Sequence, residues 1–450
     1  MTNIARLTAA AGLFTFATLA ACASPSSDET ATEVLPVTDP AANDEANDQA
    51  GEEDSDDGQG SNLPPHAFRA LARPPGCTVQ VDAKRALMIT DVSVVEDAVR
   101  TRWSGSLTNP SDGAWHFGRL MTNMAGDKDA PAFVERLLHR WERDRPVNGW
   151  NVAARPSFAS VVTDAWPKTA DGHIDLTRAP LRLLAIVNRM DLRDLSKGSA
   201  GEGRFVFGVL DGNGNPLEFT LILEYRLPGT TDADVKAWTG LWGDLQSSKL
   251  GSAAYRTALQ KVTDRFSGKN AAPGRPNGSA INQIRTNEIA FGPEWELREF
   301  RLSTKTGNIY SATVKQTPDI TLGGSKLLGD WINTHEKEIL DGTSWVTETT
   351  SKKSFRAGSA LTPFFFAWNP PGVKNPEARH LFSLNTCNGC HAGETQTTFL
   401  HVSPRSKGQE AQLSGFLTGE TINDPITGKQ RKFGDLARRG EDFAALLCTK

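Results

Sequence analysis

Five residues near the end of the chain have types and spacing that can support chemistry: Cys387-Asn388-Gly389-Cys390-His391. The C-x-x-C-H spacing is that of covalent haem attachment, in which each thiol bonds to a vinyl group of the porphyrin. The imidazole of His391 then reaches the iron from one face. Covalent tethering lets a short segment hold a haem without a large apolar pocket. The motif therefore predicts one haem c, bound through Cys387, Cys390 and His391.

The segment around this motif resembles the haem-attachment segment of c-type cytochromes. Residues 376–386 are expected to form an amphipathic helix that leads into the motif, with Pro376 in its first turn. The resemblance implies an aromatic side chain from that helix near the haem edge, for which Leu381 and Phe382 are the candidates. It covers only this short stretch and supports a site rather than a whole-chain family.

The sixth iron ligand is left open by the sequence. The last methionine of the chain is Met190, so no methionine follows the motif. His401 is the nearest downstream histidine, in a segment (397–402) expected to be extended, and His380 lies just upstream. Two histidine ligands would lower the reduction potential relative to histidine and methionine. An open position would instead permit ligand or peroxide chemistry.

Two haem-free interpretations of the same residues compete with this one. Cys387, Cys390, His391 and His401 could bind zinc, because thiolate and imidazole suit a tetrahedral zinc site. Cys387 and Cys390 could instead form a local disulfide. Haem is favoured over zinc because exported dithiols tend to oxidise and because an adjacent Cys-His pair seldom binds a single zinc ion.

The N-terminus reads as a targeting segment. Residues 1–21 combine one basic residue, Arg6, with an apolar and alanine-rich stretch that is too short for a convincing spanning helix. They end in Leu19-Ala20-Ala21-Cys22, which resembles a bacterial lipobox. This resemblance implies cleavage before Cys22, acylation of Cys22 and anchoring in a membrane. Ala23 favours the outer membrane, facing the periplasm or the cell surface, and the wider chain resembles bacterial lipoproteins of unassigned activity.

Residues 22–64 are expected to be a disordered acidic tether. They hold 12 Asp and Glu residues and no Lys or Arg, so they cannot bury enough apolar surface to offset the entropy of ordering. Without Arg6 and these acids, 48 basic and 41 acidic residues remain in residues 65–450. That mild, scattered positive charge does not indicate nucleic-acid binding.

The remaining cysteines lie at the two ends of the folded part. Cys77 is close to its start and Cys448 close to its end, and a Cys77–Cys448 disulfide would suit an oxidising compartment. The spacing alone does not fix this pairing.

Residues 65–450 read as a mixed α/β (α+β) fold in two units, 65–270 and 271–450, divided at a Pro/Gly/Asn-rich stretch over residues 270–282. A short helical haem-type segment belongs to the second unit. Apolar or β-rich runs predict strands at residues 181–187, 204–210, 217–225, 295–302 and 310–315, the second and third joined as a hairpin. Helical periodicity predicts helices at residues 130–143, 232–245, 253–266 and 327–340.

Polar residues that follow two apolar runs could line a cleft or form a loop ion-pair network: Asp191, Arg193, Arg285, Asn287 and Glu288. The aromatic run 364–368 is expected mainly in the core. No hydrolase elbow, P-loop or zincin motif is present, so no enzyme class is assigned.

These observations predict an exported, lipid-anchored protein with one covalent haem, for electron transfer or haem-linked redox chemistry with a redox partner protein. The alternative is a haem-free surface lipoprotein that binds a ligand or partner, with Cys387–Cys390 as a structural disulfide. The oligomeric state is left open.

Overall fold

The computed structural model describes residues 71–449. The signal segment 1–21, Cys22 and the tether 22–64 lie outside the described residues. The α-helices are α1 (Ala83–Ala86), α2 (Val92–Val95), α3 (Phe117–Ala125), α4 (Ala130–Leu138), α5 (Asp232–Asp244), α6 (Ala253–Ser267), α7 (Lys326–Thr334), α8 (Glu336–Asp341), α9 (Pro376–Asn385), α10 (Cys387–Cys390), α11 (Gly415–Thr418) and α12 (Asp435–Cys448).

The β-strands are β1 (Met88–Ile89), β2 (Arg145–Val147), β3 (Trp150–Val152), β4 (Leu181–Arg189), β5 (Ser199–Leu210), β6 (Pro216–Pro228), β7 (Ile281–Glu288), β8 (Trp295–Leu302), β9 (Ile309–Ala312), β10 (Thr349–Thr350), β11 (Lys353–Ser354), β12 (Ala360–Thr362), β13 (Glu420–Asn423) and β14 (Gln430–Phe433). Short 3₁₀ turns, and a π-helical turn at Ala159–Thr163, connect several of these elements. The mixed α/β prediction is confirmed.

An antiparallel sheet of eight strands organises the molecule. Its order is β1-β4-β5-β6-β7-β8-β12, and β9 also pairs with β8. The predicted hairpin is confirmed, since β5 and β6 pair on either side of the turn at residues 211–215. The Asp211 carboxylate accepts the backbone N–H groups of Asn213 and Asn215 and so closes that turn.

The predicted division into two units is not confirmed. Strand β6 ends at Pro228 and β7 begins at Ile281, and the two strands pair from Phe219–Glu288 to Tyr225–Ile281. The sheet therefore continues across residues 270 and 271. The Pro/Gly/Asn-rich stretch is the connection between α6 and β7.

One face of the sheet carries the largest apolar core. Alternate side chains of β5 and β6, among them Phe205, Phe207 and Leu223, pack there with Trp242 of α5 and Phe266 of α6. This alternation is the strand periodicity of two, which sends the intervening side chains to the opposite face.

The opposite face is covered by the C-terminal part of the chain. Leu184, Val187 and Val206 of the sheet pack with Cys390 of α10 and Phe416 of α11. The motif thus lies against a sheet built by residues about 200 positions earlier in sequence. Burial of both sheet faces requires this cover.

The structure tests the predicted disulfide and the helix predicted at residues 327–340. The Cys77–Cys448 disulfide is confirmed, with the two Cα atoms 5.8 Å apart. The single helix predicted at residues 327–340 is wrong in detail, because α7 ends at Thr334, His335 has non-helical backbone angles and α8 begins at Glu336. Between residues 71 and 449, no helix combines the length and apolarity needed to cross a membrane.

Candidate cofactor-binding cavity

The motif begins a short helix that several side chains fix in place. Thr386 is its N-cap: the hydroxyl accepts the N–H of Gly389 at 3.0 Å and also the indole N–H of Trp368 at 2.8 Å. The N–H of Cys387 donates to the Thr317 hydroxyl at 2.9 Å. The motif therefore has a defined orientation before any ligand is considered.

Gly389 allows α10 to pack closely against α9. A Cβ atom at this position would lie 2.1 Å from the Ser383 carbonyl oxygen, which is too close for any other residue without movement of the backbone. The predicted helix 376–386 is present as α9, which begins with Pro376 and ends at Asn385. Gly389 thus serves the packing of the two helices, and Asn388 donates to the Thr362 hydroxyl at 2.7 Å.

His391 is held by one ring nitrogen. Its Nδ1 donates to the Phe399 carbonyl oxygen at 2.5 Å. Burial lowers the pKa of this imidazole to about 4, so the ring is neutral at ordinary pH. A neutral ring protonated at Nδ1 has its lone pair on Nε2, which is the state required of an axial metal ligand.

A chain of aromatic rings orients the His391 side chain further. Trp295 stacks on it with ring centroids 4.8 Å apart, and Phe399 stacks on Trp295 at 5.7 Å. Phe364 contacts Phe399 at 4.9 Å. The expectation that the aromatic run 364–368 lies in the core is wrong for its first two members, because Phe365 is 86% exposed and Phe364 is also exposed.

Cys387, Cys390 and His391 all line one cavity between α10 and the sheet. The cavity has a volume of about 130 Å³, which is smaller than the roughly 300–1,000 Å³ of typical cofactor pockets, so a cofactor of porphyrin size would require the lining to move apart. Its apolar lining comes from both sides: Met88, Val187, Val206, Ile222, Leu297, Val402, Phe416 and Leu417. Both thiols and the imidazole therefore reach a common space.

Four arginines line this cavity: Arg189, Arg204, Arg285 and Arg439. Glu224 is the acidic residue among the lining side chains. Carboxylates hold the guanidinium groups in place, for example Glu299 Oε2 at 2.9 Å from Arg285 Nη2 and Asp191 Oδ1 at 2.9 Å from Arg189 Nε. The cavity thus combines an apolar surface with guanidinium groups that are already paired with buried carboxylates.

The two cysteines are free thiols rather than a disulfide pair. Burial raises the pKa of Cys387 and raises that of Cys390 well above the usual value for a thiol. Both side chains are therefore protonated in this environment. The local disulfide considered from the sequence is absent between these two residues.

His401 lines the same cavity but lies beside the motif. Its Nε2 is 3.4 Å from Cys390 Sγ, and its Nδ1 is 2.9 Å from the Ser414 hydroxyl. The ring centroids of His391 and His401 are 4.3 Å apart. Two imidazoles on opposite faces of one metal need roughly 6 Å between centroids, given metal–nitrogen bonds of about 2.0 Å. The described geometry therefore does not place His401 opposite His391, and the assignment of a second ligand stays a prediction.

The polar residues weighed as a cleft separate into two groups. Arg285 and Asn287 line the cavity. The other three form ion pairs outside the lining. Asp191 pairs with Arg189, Arg193 with Asp442, and Glu288 with Arg155. Phe382 does not line the cavity and instead packs with Trp331 and Trp368 in a separate apolar cluster.

Sequence reasoning missed Met88, Arg204, Glu224 and Arg439 as lining residues. The sequence did mark Arg204 and Glu224, because each is a charged residue within an otherwise apolar strand. The two residues are directly paired between β5 and β6. Met88 and Arg439 belong to elements far from the motif in sequence, so no local pattern marks them.

A second group of potential metal ligands is buried nearby: His380, Glu394 and Asp424. Arg379 donates to both carboxylates, at 2.7 Å to Glu394 Oε2 and 2.9 Å to Asp424 Oδ2. Arg431 also contacts Asp424. These guanidinium groups neutralise the acids, so the cluster is explained as an ion-pair network that fastens β13 and β14 to α9.

No family model, curated protein or solved structure matches this chain. The cavity is therefore interpreted from its own residues.

Proposed function

We propose that this protein carries one covalent haem c in the cavity, attached through Cys387 and Cys390 and ligated by His391, and that it serves electron transfer or haem-linked redox chemistry. The observation that carries the proposal is the convergence of both thiols and the imidazole on one cavity. When bound, the iron supplies a one-electron redox couple.

The state of His391 supports this assignment. The Phe399 carbonyl oxygen fixes the proton on Nδ1, and burial keeps the ring neutral. Metal-ligating histidines commonly donate their second ring nitrogen to a carbonyl or carboxylate in this way. Stacking on Trp295 restrains the ring plane.

The zinc alternative gains no support from the geometry. In residues 71–449, the group of three or more potential ligands with atoms within 4.8 Å of one another is His380, Glu394 and Asp424. Cys387, Cys390, His391 and His401 do not form such a group. A tetrahedral zinc with bonds of roughly 2.0–2.3 Å needs its ligand atoms closer together.

The setting of the redox site follows from the N-terminal prediction. We propose export, acylation at Cys22 and a flexible acidic tether that keeps the folded body near a membrane, with the outer membrane favoured. A redox partner protein would then be another exported protein. Acylation would be checked by mass spectrometry of the mature N-terminus, and an unmodified Cys22 would remove this part of the proposal.

Haem attachment is tested by production in a host with haem-maturation machinery. We expect haem staining on a denaturing gel and a reduced-minus-oxidised spectrum with one haem per chain. Cys387→Ser and Cys390→Ser should each lower covalent haem, and the double variant should abolish it. Cys77→Ser is the matched control, because this cysteine lies outside the cavity lining and should leave haem content unchanged.

A colourless protein after correct export and maturation would contradict the proposal. In that case the cavity favours the second candidate function, a haem-free ligand-binding lipoprotein, because its lining joins an apolar surface to charged and polar side chains. That function no longer needs a Cys387–Cys390 disulfide, since both thiols are free.

A further inference from the structure

A segment of irregular backbone, residues 396–402, lies between the cavity and the solvent and is here called the strap. Apart from one bridge at Val402, it belongs to no helix or strand in the part of the chain that the structure describes. His401 and Val402 line the cavity, whereas Thr398 is exposed to solvent. The strap therefore covers the cavity without the backbone ladder of a regular element.

Both ends of the strap are anchored. Just before it, the Thr395 hydroxyl donates to the Cys390 carbonyl oxygen at 2.6 Å. Just after it, the Ser403 N–H donates to the Gln412 carbonyl oxygen at 2.9 Å. A movement of the strap is therefore confined to the residues between these two points.

The backbone of the strap is strained. Phe399 has a φ of +66°, in the left-handed region that a bulky residue rarely adopts. The Leu400 N–H donates to the Thr398 carbonyl oxygen at 2.9 Å, which makes Phe399 the centre of a three-residue turn of the rare, strained kind with positive φ. Gln396 also has a positive φ, +48°. Such strain persists only where surrounding contacts hold it.

A small number of contacts hold this turn closed. On the inner side, the Phe399 carbonyl oxygen accepts His391 Nδ1 at 2.5 Å, and the Phe399 ring stacks on Trp295 with centroids 5.7 Å apart. On the outer side, Phe364 packs edge-on against Phe399 at 4.9 Å, although Phe364 is 62% exposed. The closed strap therefore balances backbone strain against a few side-chain contacts, as expected of a segment that opens locally.

We propose that the strap is a gate, which opens while the rest of the fold stays intact and admits a ligand that the closed cavity of about 130 Å³ is too small to hold. Cys387 packs against the apolar cluster that contains Phe399, and Cys390 Sγ lies 3.4 Å from His401 Nε2. Opening therefore uncovers both motif thiols, and Phe364 is the latch on the solvent side. The inference goes beyond the proposed function, because it concerns access and does not depend on the ligand being haem.

The test measures how fast the motif thiols react in the haem-free full chain. The probe is pyrene maleimide, a bulky thiol reagent, and mass spectrometry separates labelling at Cys387 and Cys390 from labelling at Cys22. Labelling is repeated at several urea concentrations, because a rate that depends on global unfolding rises steeply with urea and one that depends on local opening does not. We expect a rate that is nearly independent of urea at low concentration.

Phe364→Ala should raise the labelling rate of Cys390 by about two- to tenfold, since an aromatic pair of this kind stabilises the closed state by the corresponding free energy. Phe365→Ala is the matched control. Phe365 is 86% exposed, so its ring covers little of the strap, and the labelling rate should stay nearly unchanged.

Two substitutions of Phe399 separate strain from packing. Phe399→Ala and Phe399→Gly both remove the ring, but alanine keeps the cost of a positive φ and glycine does not. We expect the glycine variant to be labelled about two- to fivefold more slowly than the alanine variant. Circular dichroism would verify that each variant is folded.

A labelling rate that follows global unfolding at every urea concentration would overturn the inference, and this measurement needs only the native sequence. An unchanged rate in folded Phe364→Ala, or equal rates in the two Phe399 variants, would also overturn it. If the thiols become accessible by local opening but the native chain never gains covalent haem, the proposed function fails and the gate stands. If covalent haem forms although the thiols react only through global unfolding, the gate fails and the proposed function stands.

Discussion

Lys315 places an amine inside the protein among charged side chains of the sheet. Its Nζ donates to Gln283 Oε1, and Glu299, Glu202, Arg285 and Arg301 act on it. Burial is the largest influence and lowers the pKa of Lys315 to about 7 from an ordinary 10.5. The folded protein therefore disfavours the charged form of this residue.

This shift predicts a pH dependence of stability with a definite sign. Between pH 7 and 10.5 the unfolded chain holds a proton on Lys315 that the folded chain has largely released, so the contribution of this residue to the free energy of unfolding rises with pH. The slope is at most about 1.4 kcal/mol per pH unit. We expect Lys315→Met to be more stable than the native protein near pH 7, with an advantage that shrinks as the pH rises toward 10.5.

The measurement is urea unfolding at several pH values between 7 and 10. Lys337→Met is the matched control, because Lys337 is exposed and its removal should leave the pH profile of the native protein nearly unchanged. A constant difference between Lys315→Met and the native protein across this range would contradict the assignment.

The motif helix depends on close packing between α9 and α10. Because a Cβ atom at Gly389 would lie 2.1 Å from the Ser383 carbonyl oxygen, Gly389→Ala should force the two helices apart. We expect a loss of about 1–3 kcal/mol in the free energy of unfolding, typical of overpacking. The same displacement should reduce covalent haem content.

Gly240→Ala provides the comparison. Gly240 lies within α5, and nothing is within 4 Å of the position its Cβ would take. Alanine in a helix interior is favoured over glycine by roughly 0.5–1 kcal/mol, so this variant should be slightly more stable. Equal stability of the two variants would show that Gly389 does not require close approach.

Elements with strong local signals could be predicted from sequence. The β5–β6 hairpin and α6 follow from their own apolar spacing and turn residues. The cover on the second sheet face could not be predicted, because Arg204, Glu224 and Arg285 look like the solvent-facing residues of an ordinary half-exposed strand. Those residues line a cavity only because α10 and α11, which come much later in the sequence, pack over this face of the sheet.

The candidate site divides in the same way. Cys387, Cys390 and His391 were identified by spacing, which is a local property. Arg439 and Asn385 carry no such pattern, and their shared cavity depends on how distant segments pack. The two-unit prediction is not confirmed for a similar reason. A Pro/Gly/Asn-rich segment has the same composition whether it links two domains or, as here, leads into a strand of the same sheet.

At the scale of the whole molecule, Cys77–Cys448 closes a loop with a sequence separation of 371 residues. In the chain-entropy account, a cross-link of this length restricts the unfolded chain strongly, and removing a native disulfide costs about 2–5 kcal/mol. We expect Cys77→Ser with Cys448→Ser to lower the free energy of unfolding by that amount while covalent haem content is retained.

Urea unfolding of this double variant beside the native protein, with and without reductant, provides the measurement. Reductant should shift the native protein toward the variant and leave the variant unaffected. If native protein and variant unfold at the same urea concentration under oxidising conditions, the bond does not stabilise the fold.

The same covalent link sets how the body would respond to mechanical load. Any pull delivered along the polypeptide from the N-terminal side reaches Cys77 and passes through sulfur into α12. Strand β1, which has only two residues at the sheet margin, lies inside the closed loop and is shielded from being peeled away. If the protein is held by its N-terminal side, the pulling force is transmitted through the Cys77–Cys448 bond to α12, and little of it acts on the hydrogen bonds of the sheet.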